Sequence, residues 1–183
     1  TTKIGKLLFS NMEMTAVQGA IIVKDKVVRM QGLSLNMLDG NMTVNGAYNT
    51  QDVRKPAVEF DLAIANFDVQ KTVATFGTVK KMAAIAEKAS GKYSTKMKFT
   101  TDLDAHMSPV LNTLNGAGTL NTQNITVSNF EALNKLSDAL KTDKYRKLEL
   151  RNTNISFKFE NGRVTVQPFD IAIGGVKAKF GGS

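Results

Sequence analysis

Strict alternation of apolar and polar side chains is the feature that most constrains how this chain folds. Leu33, Leu35 and Met37 alternate with Ser34 and Asn36, for example. The same alternation recurs over residues 42–48, 58–64, 97–103, 155–159, 164–166, 171–173 and 176–180. Successive side chains of a strand point to opposite faces, so each segment has one apolar face. The sequence therefore predicts an α+β fold that is mainly β, with a curved antiparallel sheet of about nine strands.

Turn-forming residues separate the alternating segments, as in a sheet built from hairpins. Glycine, asparagine and aspartate tolerate the positive φ of tight two-residue turns. We predict such turns at Asp25-Lys26, Asp39-Gly40, Asn161-Gly162 and Gly174-Gly175. The phase of alternation slips over residues 151–154, and Pro168 interrupts the last strands, so we predict a bulge at each place.

Two or three helices are expected, packed on one face of the sheet. Asp68 is a predicted N-cap for a segment that runs to about Lys88 and divides near Gly77. Ser128 and Glu131 have the spacing of a capping box ahead of an amphipathic helix. A further turn is expected between Ser108-Pro109 and Leu114. A strand followed by Asn-Phe-acid and a helix occurs twice, at residues 66–68 and 129–131.

The length and composition indicate one globular domain over residues 1–183. Hydrophobic residues make up 42% of the chain and charged residues 22%, which is an ordinary balance. The absence of cysteine excludes disulfides and thiolate metal sites, and the single histidine excludes a histidine-rich one. No signal peptide or membrane-spanning run is visible. Because the chain begins with Thr1, we expect a processed protein or a piece of a longer one.

The net charge of +8 favours contact with phosphates, in lipid head groups or in nucleic acid, although a merely basic soluble surface is an equal alternative. Binding of single strands usually requires exposed aromatic side chains among the cations. Tryptophan is absent, and most phenylalanines fall on the apolar phase. We therefore predict no nucleic-acid partner. Lys141, Lys144, Arg146 and Lys147 follow a predicted helix, whose negative dipole end favours cations.

The polar clusters do not have the form of catalytic sites. Asp104, His106 and Ser108 alternate along one predicted strand, about 6.6 Å apart, whereas a catalytic triad requires contacts of about 3 Å. Asp102 and Asp104 are spaced like paired carboxylates but lie among lysines and threonines of a solvated face. Gly116-Ala117-Gly118 precedes a strand, so it is predicted to form a turn and not a phosphate-binding loop. We predict no enzymatic activity, no metal and no cofactor.

The apolar face itself is the remaining candidate site. Nine strands would be about 43 Å wide, and two or three helices cover about 20–30 Å. The rest of the face requires another cover: the sheet closes on itself, another part of the chain packs there, or a lipid binds. Flexible methionines suit an adaptable apolar surface. The predicted lipid-contacting residues are Leu33, Leu35, Met37, Met42, Val44, Val58, Phe60, Leu62, Met97, Phe99, Phe157 and Phe159.

Two long segments carry a resemblance to a known family. The segment from Gly118 reads Gly-Thr-Leu-Asn-Thr-Gln-Asn-Ile-Thr-Val-Ser-Asn-Phe-Glu-Ala-Leu-Asn-Lys-Leu. The segment from Ile155 reads Ile-Ser-Phe-Lys-Phe-Glu-Asn-Gly-Arg-Val-Thr-Val-Gln-Pro-Phe-Asp, and the hairpin at Gly174-Gly175 follows and ends in Lys-Phe-Gly. Together they resemble the C-terminal region of AsmA-like proteins. Residues 33–46 and 56–68 are similar to the strands that precede that region.

The resemblance implies a role in the bacterial envelope. AsmA-like proteins have an N-terminal inner-membrane anchor and a β-rich periplasmic region, and they are associated with outer-membrane biogenesis. They are similar to chorein-type bridge proteins, whose apolar groove carries phospholipid. The expected function is thus non-catalytic handling of phospholipid or another envelope lipid at the periplasmic face of the inner membrane, by a segment whose anchor lies elsewhere. The alternative is a scaffold that assists outer-membrane protein assembly through exposed strand edges.

Overall fold

A computed structural model of the chain describes residues 2–9 and 12–183, and strands make up most of it. The strands are β1 (Thr2–Phe9), β2 (Met12–Lys24), β3 (Val27–Met37), β4 (Gly40–Asn49), β5 (Ala57–Asp68), β6 (Ala89–Asp102), β7 (Asn115–Ser128), β8 (Lys147–Leu150), β9 (Asn154–Glu160), β10 (Arg163–Ile173) and β11 (Val176–Gly182). The helices are α1 (Val69–Thr75), α2 (Gly77–Met82) and α3 (Glu131–Ala139). Single 3₁₀ turns span Ala84–Lys88, Leu111–Thr113 and Asp143–Tyr145.

All eleven strands belong to one antiparallel sheet in which chain order is also spatial order. Both β8 and β9 pair with β7, at residues 125–128 and 116–121 of that strand, so they form one strand line with an interruption. Within the described residues, β1 pairs only with β2 and β11 only with β10, so the sheet stays open. The predicted mainly β fold is confirmed. The count exceeds nine because one line is divided and β1 alternates only weakly.

Three of the four predicted hairpin turns are confirmed at the predicted residues: Asp25-Lys26, Asn161-Gly162 and Gly174-Gly175 all have positive φ. The fourth turn is shifted by one residue. Leu38 and Asp39 form it, with φ of 49° and 63°, and Gly40 already belongs to β4. The glycine is required for another reason, since a Cβ on Gly40 would lie 2.3 Å from the carbonyl oxygen of Ala65.

The helix starts follow the sequence prediction in one case and depart from it in the other. The side chain of Asp68 accepts a hydrogen bond from the Lys71 amide and caps α1, as predicted. The predicted segment is divided before Gly77 into α1 and α2. The capping box is wrong: Ser128 lies in β7, and α3 begins after Phe130 with no side-chain cap. The chain turns there through Asn129, whose φ is 57°.

Bulges interrupt the regular pairing in several strands of the sheet. Residues in the left-handed region occur inside strands at Ala16, Gly32, Asn66 and Asn124. The pairing registers slip beside the first three of these residues, and Gly91 in β6 lies opposite Asn124 at a fourth slip. Each such bulge increases the local twist of its strand. The bulge predicted at Pro168 is confirmed by a register shift between Val166 and Phe169.

The core consists of two apolar clusters on the same side of the sheet. One lies under α1 and α3 and includes Val69, Ile125, Val127, Leu133, Leu148, Ile171 and Ile173. The other is built almost entirely from strands β1 to β6 and includes Val17, Leu33, Leu35, Met37, Val44, Ile64 and Phe67. Among the described residues, only Leu38 and Phe76 contribute to the second cluster from outside the strands. The curved sheet therefore buries this cluster largely with its own side chains.

Candidate functional site: an open apolar sheet face

Two rows of side chains cross the sheet and define one apolar face. Directly opposed residues of antiparallel strands lie on the same face, so the pairing registers trace each row. The first row is Met30, Gly46, Phe60, Phe99, Gly116, Phe159 and Val164. The second row is Leu33, Val44, Leu62, Met97, Gly118, Phe157 and Val166. We call the side of the sheet that carries these rows the apolar face.

All twelve residues predicted to contact lipid lie on the apolar face. Eight of them belong to the two rows. The others occupy the next positions along the same face: Leu35 opposes Met42, Met37 follows on β3, and Val58 opposes Tyr48. Alternation alone thus assigned each of these side chains to the correct side of its strand.

Burial divides the predicted residues into two groups. Leu33, Leu35, Met37, Val44 and Val58 are between 4% and 8% exposed and belong to the core of the sheet, so a ligand does not reach them directly. The other seven are only half-buried: Met42, Phe60, Leu62, Met97, Phe99, Phe157 and Phe159. The accessible part of the apolar face therefore lies on β5, β6 and β9, together with Met42 of β4.

The rings of Phe60, Phe99, Phe157 and Phe159 form a surface in this region that we call the aromatic floor. Glycines of neighbouring strands lie under two of these rings. A Cβ on Gly46 would lie 2.8 Å from Cδ1 of Phe60, and one on Gly118 would lie 2.6 Å from Cζ of Phe157. The rings therefore lean over the glycines of the neighbouring strands. Gly118 and Gly116 lie within β7 and not in a turn, so that prediction was wrong. The sequence signal was their even spacing, which puts both on the apolar phase.

The rings also contact one another in pairs. Phe60 and Phe99 meet edge to face, with centroids 5.9 Å apart. Phe157 and Phe159 are tilted, with centroids 5.2 Å apart. Such pairs are favourable beyond the area that they bury. They give the floor a defined shape in the absence of a ligand.

No second layer covers this floor in the part of the chain that the structure describes. The helices contact the sheet mainly where β5 ends and β6 begins. Phe99, Phe157 and Phe159 belong to neither core cluster. Of the three covers considered from the sequence, closure of the sheet is excluded by its unpaired edges. Another segment of polypeptide and an external apolar molecule are the two covers that stay open.

The opposite face of the same strands is polar. Lys98 and Asp61 oppose each other there, with Nζ and Oδ2 2.9 Å apart. Lys96 and Lys158 are exposed on the same side. The sheet is thus amphipathic from edge to edge, with its apolar side only partly covered.

The residues 104, 106 and 108 do not form a catalytic triad. The sequence pattern predicted that they lie along one strand, and this is wrong. Strand β6 ends at Asp102, so they lie in the loop that follows it. The Asp104 carboxylate accepts hydrogen bonds from the backbone amides of His106 and Ser108, at 2.8 and 2.9 Å. The pKa of Asp104 is lowered from its ordinary value of 3.8, mainly by the hydrogen bond from Ser108 and to a smaller extent by the one from His106. The carboxylate therefore stabilises the backbone conformation of the loop over residues 104–108.

Replacing Asp104 by alanine is expected to lower the melting temperature in a pH-dependent way. Because the folded-state pKa of Asp104 is lowered, its contribution is present above the ordinary value of 3.8 and is lost as the pH falls below it. The difference between wild type and Asp104→Ala should therefore be present at about pH 6 and decrease as the pH falls below 3.8. Calorimetry across this range is the measurement. His106→Gln, which keeps the backbone amides, should lower the melting temperature much less than Asp104→Ala at about pH 6; a pH-independent Asp104→Ala effect would contradict the assignment.

The other polar groups that the sequence singled out have structural partners. Arg146 pairs with Asp138 and Asp143, at 2.7 and 2.6 Å, and the bonds to Asp143 and Asp138 raise its pKa. It thus binds one acidic side chain in the last turn of α3 and one just after the helix. No group of three or more potential metal ligands occurs among residues 2–9 and 12–183. None of the helices described is long and apolar enough to cross a bilayer.

Several residues of the apolar face were missed by the sequence prediction. Val164 and Val166 of β10 extend the two rows, and Met30 begins the first. Their alternation was visible in the sequence, but the neighbours that bring them to this face were not.

Comparison with protein-family models, characterised proteins and solved structures finds no match to this chain. The resemblance to AsmA-like proteins therefore stays a prediction.

Proposed function

We propose that this chain is a non-catalytic, lipid-handling domain of the bacterial envelope, which holds phospholipid acyl chains on its apolar face. The observation that supports this most is the half-buried aromatic floor formed by Phe60, Phe99, Phe157 and Phe159, on the part of the apolar face that no second layer covers among the described residues. Burying an acyl methylene there would contribute about 0.8 kcal/mol. No polar group of the floor is needed for the interaction.

The positive net charge of the chain suits binding of the phosphate head group of a phospholipid. The net charge is +8, from 24 lysines and arginines against 16 aspartates and glutamates. Cations close to the rim of the apolar face would attract phosphate groups. From the AsmA-like resemblance, the domain would act at the periplasmic face of the inner membrane, carried by an anchor outside this segment, and would move lipid toward the outer membrane.

The open sheet edges favour a second candidate function. Among the described residues, β1 and β11 each have one paired neighbour. An unpaired edge can accept a strand from another protein by main-chain hydrogen bonds. A scaffold that assists outer-membrane protein assembly would use these edges and leave the aromatic floor unoccupied.

Two matched double variants test lipid binding by the apolar face. Leu62 and Met97 oppose each other on it, and Ala63 and Lys96 are the neighbouring opposed pair on the polar face. We expect Leu62→Gln/Met97→Gln to lose bound phospholipid, because two amides would have to be desolvated under the acyl chain. Native mass spectrometry of the chain purified from bacteria, followed by lipid extraction, measures the stoichiometry.

Ala63→Gln/Lys96→Gln is the control and should keep the wild-type stoichiometry. Melting temperatures of both variants show whether the fold is kept. A wild-type chain that stays free of lipid after incubation with phospholipid would contradict the proposal and leave the scaffold as the better account. Equal loss of lipid in both variants would place the binding elsewhere than on the apolar face.

A further inference from the structure

One end of the sheet exposes aliphatic side chains that nothing in the described structure covers. The end consists of the β2–β3 hairpin and the loop between β4 and β5, residues 20–31 and 50–56, which we call the tip. Ile21, Ile22 and Val23 are 44%, 43% and 73% exposed, and Val53 is 75% exposed. Three consecutive exposed aliphatic residues on one hairpin are unusual for a surface in contact with water alone.

Backbone contacts make the tip a single surface. The amide and hydroxyl of Thr50 both donate to the carbonyl oxygen of Lys26, at 2.9 and 2.8 Å. The side chain of Gln51 donates to the carbonyl oxygen of Asp25. The loop that carries Val53 is therefore fixed against the hairpin turn.

The tip is also basic. It contains Lys24, Lys26, Arg29, Arg54 and Lys55 against only two acids, an excess of three positive charges. The acid of the loop, Asp52, lies 3.5 Å from Nε of Arg54 and accepts a hydrogen bond from its backbone amide. The cations of the tip are exposed, and Arg29 directly opposes Ile22. Exposed aliphatic side chains next to exposed cations match the acyl boundary and the phosphates of an anionic lipid surface.

We propose that the tip docks on the surface of an anionic phospholipid bilayer, with Ile21, Ile22 and Val23 entering the acyl boundary and the lysines and arginines on the phosphates. Salt-dependent attraction brings the tip to the surface, and burial of the aliphatic side chains holds it there.

The apolar face leads directly to this docked end. Ile21 opposes Met30, so it extends the first row of the face. Met30 leads through Gly46 to Phe60 of the aromatic floor in the same row. Apolar side chains thus continue from the aromatic floor to the tip. If the proposed function holds, an acyl chain would pass between bilayer and floor along this line, whereas the docking itself does not depend on lipid binding by the floor.

Flotation of the full chain with vesicles tests the docking. We expect it to bind vesicles of phosphatidylcholine with phosphatidylglycerol, to bind pure phosphatidylcholine weakly, and to be released as the salt rises from about 0.05 to about 0.5 M. Ile21→Thr/Ile22→Thr/Val23→Thr keeps the β-branched shape that strands favour. Its vesicle partition coefficient should fall by about tenfold or more, because the aliphatic insertion is lost.

A matched triple variant serves as the control. Leu7, Leu8 and Val176 are exposed aliphatic residues of strands away from the tip, and their replacement by threonine should leave binding unchanged. Equal binding to both kinds of vesicle, or an equal effect of the two triple variants, would overturn the docking proposal. A chain that co-purifies with phospholipid but does not float overturns docking and leaves the proposed function intact. A chain that floats in the expected way but carries no lipid on its floor supports docking and overturns the proposed function.

Discussion

Replacing Gly46 by alanine is expected to destabilise the fold by about 3 kcal/mol or more. Gly46 has φ of +145°, which L side chains rarely adopt, and its missing Cβ would lie 2.0 Å from the carbonyl oxygen of Glu59. The Cδ1 atom of Phe60 is also only 2.8 Å from that position. Backbone and ring would both have to move, and the β4–β5 ladder would open with them. Urea unfolding followed by circular dichroism gives the free energy of unfolding.

Two other glycines separate the causes of this effect. Gly32 has φ of +56° but nothing within 4 Å of a Cβ, so Gly32→Ala should cost only the left-handed strain, about 1 kcal/mol. Gly5 in β1 has open space and no positive φ, so Gly5→Ala should be close to neutral. A Gly46→Ala variant no less stable than Gly32→Ala would show that β4 and β5 do not approach each other as closely as described.

Alternation predicted the sheet because burial of one face is a local property of each strand. The hairpins at Asn161-Gly162 and Gly174-Gly175 were predictable for the same reason, since their glycines supply the positive φ of the turn. Asp39-Gly40 misled the prediction because the same dipeptide can be required by a tertiary contact. The carbonyl oxygen of Ala65 approaches Gly40 from β5, and no pattern around residue 40 reports that approach.

The helix starts show a similar limit. Asp68 and Glu131 follow equivalent Asn-Phe pairs, and both asparagines, Asn66 and Asn129, have a left-handed φ. Only Asp68 caps its helix, because β5 continues in the extended conformation up to it. The repeat is therefore real in the backbone, while the hydrogen bonds depend on how each strand ends.

The sequence predicted which side of the sheet carries the candidate site, but not which residues on that side are accessible. The phase of Phe60, Met97 and Phe157 put them on the same side, which the pairing registers bear out. Which members of that face stay accessible depends on the bulges and on the position of the helices. These are contacts between distant segments, so the five core residues such as Val44 could not be distinguished from the accessible ones.

Phe67→Ala is expected to cost about 3–5 kcal/mol of stability, as large core truncations do. Phe67 is 1% exposed and meets Tyr93 edge to face, with ring centroids 6.3 Å apart. Tyr93 contacts both core clusters, and its hydroxyl donates to Oγ1 of Thr72 in α1 at 3.2 Å. Removing the Phe67 ring therefore leaves a cavity at the junction of the helix-covered core and the strand-built core. Chemical denaturation measures the loss.

Tyr93 provides a second measurement that distinguishes this cavity from general weakening. Burial raises the pKa of Tyr93 above its ordinary value of 10.0. If water enters beside the ring in Phe67→Ala, that pKa should move back toward 10.0, as seen in the ultraviolet titration of the phenol. Phe180→Ala, at a ring that is 43% exposed in β11, should change neither the stability by more than about 1 kcal/mol nor the titration. An unchanged titration in a destabilised Phe67→Ala would mean that the two cores do not meet at Tyr93, and the apolar face would then rest on two separately stable halves.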